Sequence, residues 1–115
     1  MQESRLQESV VKYIGYKYPK IRYCASLGGI RTSYKQALLA KRTGYIKGFP
    51  DLQICIPNKK YCGLFLELKV IGRYATKEQK EWINYLNGAG YKAAIVKGFD
   101  NAVELIDSYL NEVDK

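Results

Sequence analysis

Asp51, Glu67 and Lys69 stand in the stretch GFPDLQICIPNKKYCGLFLELK, where two apolar runs flank a turn built from Pro57, Asn58, Lys59 and Lys60. Acids are unusual in such runs, so their register matters. With the turn centred on Lys59, Ile56 faces Cys62, Ile54 faces Leu64, Leu52 faces Leu66 and Asp51 faces Glu67. Directly opposed strand residues project to one side, with Cβ atoms roughly 4.5–5.5 Å apart. Side chains two apart along a strand share a face, which adds Lys69 to the pair. Two carboxylates that close are unfavourable, and a carboxyl pKa rises unless a cation stands between them. They suit a hard divalent cation such as Mg²⁺, which takes a few protein oxygens and keeps several waters. A lysine beside such a metal can orient or deprotonate a water, or steady charge on a phosphate. The competing reading is a surface Lys–Asp–Glu ion-pair network at a sheet edge.

The elements that must position these groups follow from periodicity. Leu6, Val10, Tyr13, Ile14 and Lys17 recur at helical spacing, with Ser4 and Gln7 placed to close a capping box and Pro19 beyond the end. Ile21–Ala25 reads as a short strand, LGGIRTS as a loop, and YKQALLAKR as a helix ending near Gly44. After the hairpin, Thr76 starts a helix whose apolar stripe is Trp82, Ile83, Leu86 and Ala89. Tyr91–Lys97 is a further strand, and NAVELIDSYL a last helix with Ala102, Leu105, Ile106 and Tyr109 inward. The order α β α β β α β α predicts an α/β fold: a small mixed sheet flanked by helices.

Residues 1–115 are enough for a single compact domain and too few for two ordinary ones. No apolar run approaches the ~20 residues a membrane helix needs, and the first residues lack a secretory layout, so the expected compartment is the cytoplasm. Cys24, Cys55 and Cys62 form no CxxC pair and the chain has no histidine, which argues against zinc or a Cys/His nucleophile. Their apolar surroundings predict buried, reduced thiols. The net charge is +8, and residues 1–50 carry ten Lys/Arg against two Asp/Glu while residues 51–115 carry nine of each. The whole excess therefore lies in the first half, as a polyanionic partner such as nucleic acid would favour.

Pro50-Asp51 followed by Glu67-x-Lys69 resembles the PD…(D/E)xK arrangement of a large nuclease superfamily. With ESRLQESVVKYI, GFPDLQI, GLFLELK and GRYATKEQKEWINYLNGAGY in order, nearly the whole chain resembles the VRR-NUC family of virus-type replication and repair nucleases. The resemblance implies a restriction-endonuclease-like fold and a Mg²⁺- or Mn²⁺-dependent nuclease. It implies that Asp51, Glu67 and the Leu68 main-chain carbonyl bind metal, and that Lys69 positions the attacking water and counters charge at the scissile phosphate. It also implies an acid from the first helix. Glu3 continues the inward face with Leu6, Gln7, Val10 and Ile14, whereas Glu8 falls on the solvated side, so Glu3 is the choice, as a metal-site acid or a support for a second metal. Gln79 matches the family's downstream glutamine, and with Thr76 it also fits a capping box. One departure is Leu27, where virus-type members often have asparagine before paired glycines; Gly28 and Gly29 remain for close approach to DNA.

Candidate DNA contacts are Arg31, Lys35, Lys41, Arg42 and Lys47 before the PD motif, and Arg73 and Lys77 after the ExK. Tyr34 and Tyr74 interleave with them and could stack on an unpaired base. The resemblance implies branched DNA, such as a Holliday-junction-like structure, cut by a homodimer whose two-fold symmetry matches two strands. The alternatives are a flap, overhang or restriction-like nuclease, or a non-catalytic DNA-binding subunit.

Overall fold

Alternation along the strands decides which helices cover which face. The computed structural model describes residues 2–26 and 33–114, and within them the elements are α1 (Glu3–Lys17), β1 (Tyr23–Ala25), α2 (Tyr34–Arg42), β2 (Leu52–Ile54), β3 (Leu64–Lys69), α3 (Lys77–Gly88), β4 (Lys92–Lys97) and α4 (Phe99–Asn111). The four strands form one mixed sheet in the order β1-β2-β3-β4; only β3 and β4 run parallel. Leu52, Ile54, Leu64, Leu66, Leu68 and Val96 turn to one face and pack against Leu6, Val10 and Ile14 of α1 and Ala102, Ile106, Tyr109 and Leu110 of α4. Phe65 and Ala93 turn to the other and meet Ile83 and Leu86 of α3. Each large aliphatic side chain so buried contributes about 1.5–3 kcal/mol. β3 is covered on both faces, as a central strand with a parallel neighbour should be.

The hairpin register is the one the sequence predicts, with Leu52 opposite Leu66 and Ile54 opposite Leu64. Pairing stops there, so Ile56 and Cys62 lie outside the ladder. Asn58 takes over: its Oδ1 accepts from the Lys60 and Tyr61 N–H groups, and its own N–H donates to the Tyr61 carbonyl. That side-chain turn opens the hairpin early.

Several expectations need correction. The first strand is Tyr23–Ala25, shorter than Ile21–Ala25 because its partner β2 has only three residues. Helix α1 starts at Glu3 with Gln2 as N-cap and no side-chain cap, so Ser4 lies inside the helix and the Ser4–Gln7 box does not form. Ala89 ends α3 as its exposed C-cap. The three cysteines are free and exposed rather than buried. Cys24 lies on the edge strand and Cys55 and Cys62 just past the β2–β3 ladder. Helix α2 packs against no other helix or strand among the described residues.

Candidate active site

The Gly48-Phe49-Pro50 segment fixes Asp51 before the strand begins. Gly48 has φ +95°, and a Cβ there would stand 2.6 Å from the Glu78 carbonyl carbon, so the turn and the close approach to α3 both require glycine. Phe49 meets Phe65 and Trp82 edge-on, with ring centroids 5.7 and 4.9 Å away, and the Trp82 indole N–H donates to the Lys47 carbonyl at 3.2 Å. Pro50 is fully buried. The Asp51 carbonyl accepts from the Ser26 N–H at 2.9 Å, and its carboxylate Oδ2 accepts from the Leu68 N–H at 2.8 Å. Both ends of the residue are therefore held.

Glu67 and Lys69 follow Phe65 on the α3 side of β3. Glu67 is 2% exposed and Lys69 7%, which excludes a surface ion-pair network. The Lys69 ammonium lies 3.7 Å from Glu67 Oε2 and 3.8 Å from Glu3 Oε1. Glu3 thus reaches the cluster from the first turn of α1, as its place on the inward face predicts. Glu8 is exposed and pairs instead with Lys12.

Burial leaves this cluster electrostatically strained. It pushes the Glu67 carboxyl up to about 8, with the Asp51 carboxyl beside it and the Glu3 charge adding to the rise and Lys69 opposing it. Burial also raises Asp51, against the Leu68 N–H, Glu67 and Lys69, which lower it. Meanwhile Glu67 Oε1 is buried with no hydrogen-bond partner. Leaving a buried carboxylate oxygen unpaired costs more than 1 kcal/mol, the order that a lost hydrogen bond costs.

An orphaned acid oxygen beside a second carboxylate fits a small divalent cation. A strand residue's N–H and C=O leave on the same edge, so the Leu68 carbonyl points toward the side that Asp51 occupies. The donor set is hard oxygen throughout, which suits Mg²⁺ or Mn²⁺. Among the described residues no three His, Cys, Asp or Glu side chains stand close enough to hold a metal by themselves, so the main-chain oxygen and water would have to complete the shell.

Two comparisons with known proteins agree. The model of the VRR-NUC domain family matches residues 3–100. The chain belongs to the VRR-NUC family. A solved structure described as a VRR_NUC domain protein is 32% identical, with a TM-score of 0.85 over 99% of this chain and 92% of the other. No curated protein matches. The VRR-NUC fold is of nuclease type, and its α/β plan of a mixed four-stranded sheet flanked by helices is the one observed here.

The remaining expected residues of this VRR-NUC chain are less gathered. Gln79 is half-buried, and its Oε1 accepts from the Thr76 N–H at 2.9 Å while Thr76 Oγ1 caps the Gln79 N–H, closing the capping box. The hydrogen bond given for its side chain is therefore spent on its own helix cap. Lys35, Lys41 and Arg42 on α2, Lys47 on the following turn, and Arg73 and Lys77 beyond β3 are all exposed. Lys77 approaches Glu81 at 4.0 Å. A surface depression lined by Lys35, Leu38, Leu39 and Arg42 lies on α2 and includes none of the acids. Arg31, Gly28 and Gly29 lie outside the described residues.

Sequence reasoning missed Lys97. In the parallel β3–β4 ladder it is the register partner of Lys69, two rungs beyond the Glu67–Ile95 pair and on the same face. Its signal was available only after the pairing of YKAAIVK with GLFLELK was known.

Proposed function

We propose that this protein is a metal-dependent DNA endonuclease that hydrolyses phosphodiester bonds, acting as a single domain over residues 1–115. The observation that carries the reading is the half-buried Asp51 beside the buried Glu67, with an unpartnered Glu67 oxygen and Lys69 at 3.7 Å. Such an arrangement lowers stability unless positive charge and a phosphate complete it. A bound Mg²⁺ or Mn²⁺ would supply a Lewis acid and an acidified water at neutral pH.

The chain's own groups divide the rest. Asp51, Glu67 and the Leu68 carbonyl would hold the cation, with Asp51 kept in place by the Leu68 N–H. Lys69, largely desolvated, would direct its N–H donors at the scissile phosphate and orient the attacking water. In the low dielectric of the site its charge counts for more than on the surface. Glu3 would balance Lys69 and steady its position. Gln79 would add a polar group from its half-buried place beside the sheet. The exposed Arg31, Lys35, Lys41, Arg42, Lys47, Arg73 and Lys77 would neutralise backbone phosphates.

The preferred substrate is branched DNA, of Holliday-junction type, cut by a homodimer in the cytoplasm. The test is cleavage of linear, flapped and four-way DNA with and without Mg²⁺ or Mn²⁺, comparing the wild type with Asp51→Ala and Lys69→Ala. Cutting of the four-way substrate that needs metal and both residues is expected. Cleavage that survives EDTA or both substitutions would sink the mechanism, and binding without cutting would assign a DNA-binding subunit instead. Sedimentation over a concentration range tests the dimer.

A further inference from the structure

Lys97 presents a positive charge beside the acidic centre with no carboxylate to neutralise it. As register partner of Lys69 on the neighbouring parallel strand, it projects to the same face of the sheet. Like charges opposed across strands destabilise a sheet, and Lys69 is compensated by Glu67 and Glu3. Lys97 is not: among the described residues it forms no ion pair. Its ammonium instead lies 4.0 Å from the centre of the Tyr74 ring.

The backbone around it is arranged to keep that contact. The Gly98 N–H donates to the Lys69 carbonyl at 2.9 Å, tying the ends of β3 and β4 together. Gly98 has φ +83°, and a Cβ there would stand 3.3 Å from Ile71 Cδ1, so the turn after β3 lies directly against the end of β4. The Arg73 N–H closes that turn onto the Val70 carbonyl at 3.1 Å, and Tyr74 follows with its ring 77% exposed. An aromatic face holds an ammonium by about 0.5–1 kcal/mol at an exposed site, enough to orient it but too little to satisfy it. A half-buried ammonium oriented this way keeps free N–H donors for an anion.

We propose that Lys97, held on Tyr74, is a substrate-positioning residue that binds the DNA backbone phosphate adjoining the one addressed by Lys69. The spacing supports a neighbouring phosphate, because adjacent strands stand about 4.8 Å apart and two ammonium groups on one rung repel unless each meets its own anion. This proposal rests on the nuclease reading.

The test measures binding of a DNA duplex by anisotropy in EDTA across a salt series, and cleavage in Mg²⁺, for wild type, Lys97→Gln, Lys97→Arg, Tyr74→Phe and Tyr74→Ala. Losing one phosphate contact should reduce the slope of log K against log salt by about 0.9. Lys97→Gln should therefore bind roughly three- to tenfold more weakly at low salt, raise KM more than it lowers kcat, and melt no lower than wild type. Lys97→Arg should restore the slope and Tyr74→Phe should match wild type, while Tyr74→Ala weakens binding with the slope kept. A Lys97→Gln protein with wild-type affinity and slope overturns the proposal, and so does a lowered melting temperature with the slope unchanged. A wild type that binds no DNA overturns the nuclease reading and this proposal together.

Discussion

Replacing Glu67 by glutamine should make the metal-free protein more stable at alkaline pH, although it removes a site residue. The carboxyl is carried from 4.5 to about 8 by burial and by Asp51. The folded state therefore binds a proton more tightly than the unfolded chain. Between those two values the unfolded chain has released the proton and the folded one retains it, so stability falls as pH rises through the window. One pKa unit corresponds to about 1.4 kcal/mol, so the full displacement sets a ceiling of ~4–5 kcal/mol. Asp51 is half-exposed and admits water, which lowers the effective figure to about 2–3 kcal/mol. Glutamine has the same shape, carries no titrating proton and can donate to Asp51. In EDTA, urea denaturation at pH 5 and pH 8.5 should show the mutant-minus-wild-type difference growing toward the higher pH by about that amount. Differencing removes the contribution of every other carboxylate. Mg²⁺ or Mn²⁺ should then stabilise wild type more than the mutant. A difference that is flat with pH, or equal metal stabilisation of both proteins, would refute the claim that Glu67 is a strained acid waiting for a cation.

Gly48→Ala should destabilise by about 2–4 kcal/mol in thermal or urea denaturation, because a side chain at φ +95° is strained and the new Cβ meets the Glu78 backbone. Gln79→Ala should cost about 1 kcal/mol through the lost cap. If Gln79 also serves the reaction, kcat should fall by more than tenfold in Gln79→Ala and stay low in Gln79→Glu, which keeps the capping box. Asp107→Asn tests the fastening of α1 to α4, where Asp107 accepts from Tyr13 at 2.7 Å and Tyr18 at 2.5 Å and pairs with Lys17 at 3.2 Å. Burial would raise its pKa, but the hydrogen bonds from Tyr18, Tyr13 and Lys17 outweigh it and lower the value. Its contribution is thus present above the unfolded carboxyl pKa and lost as pH falls through the folded one. The mutant should be about 1–2 kcal/mol less stable at pH 7 by urea denaturation, and the gap should narrow in acid.

What could be read from the sequence was whatever is set by local spacing. The register of Asp51 and Glu67 followed from a turn and a period of two, and the structure pairs the flanking residues in that register. Glu3 was separable from Glu8 because helical periodicity put only one on the inward face, and only that one reaches Lys69. The burial of Glu67 was not legible, since no strand records in its own residues that helices will cover both faces. Cysteine exposure failed for the related reason that Cys55 sits in an apolar run, yet the ladder ends one residue before it. Lys97 was invisible until β4 was known to lie parallel to β3, a pairing between segments that no turn connects.

The position of the acids at the end of the hairpin, and not at its middle, has a physical reason. β2 stops pairing at Leu52, and β1 has ended with Ala25 opposite it. Beyond that point β3 continues alone on its β2 edge, so the Leu68 N–H and carbonyl have no strand partner there. Asp51 satisfies the N–H with its side chain, and the carbonyl is left facing the same gap. A longer β2 would set Pro50 opposite Leu68, and proline has no N–H to pair the Leu68 carbonyl, so the ladder cannot close there. Ending the strand early provides main-chain oxygen, carboxylate oxygen and room for solvent at one place. The apolar residues Leu52, Leu64 and Leu66 lock the register up to that edge, and the Gly48–Pro50 segment clamped on α3 prevents Asp51 from fraying away from it. The core of this small sheet is therefore what sets the carboxylate spacing, and substitutions that loosen it should lower affinity for a divalent cation before they unfold the chain.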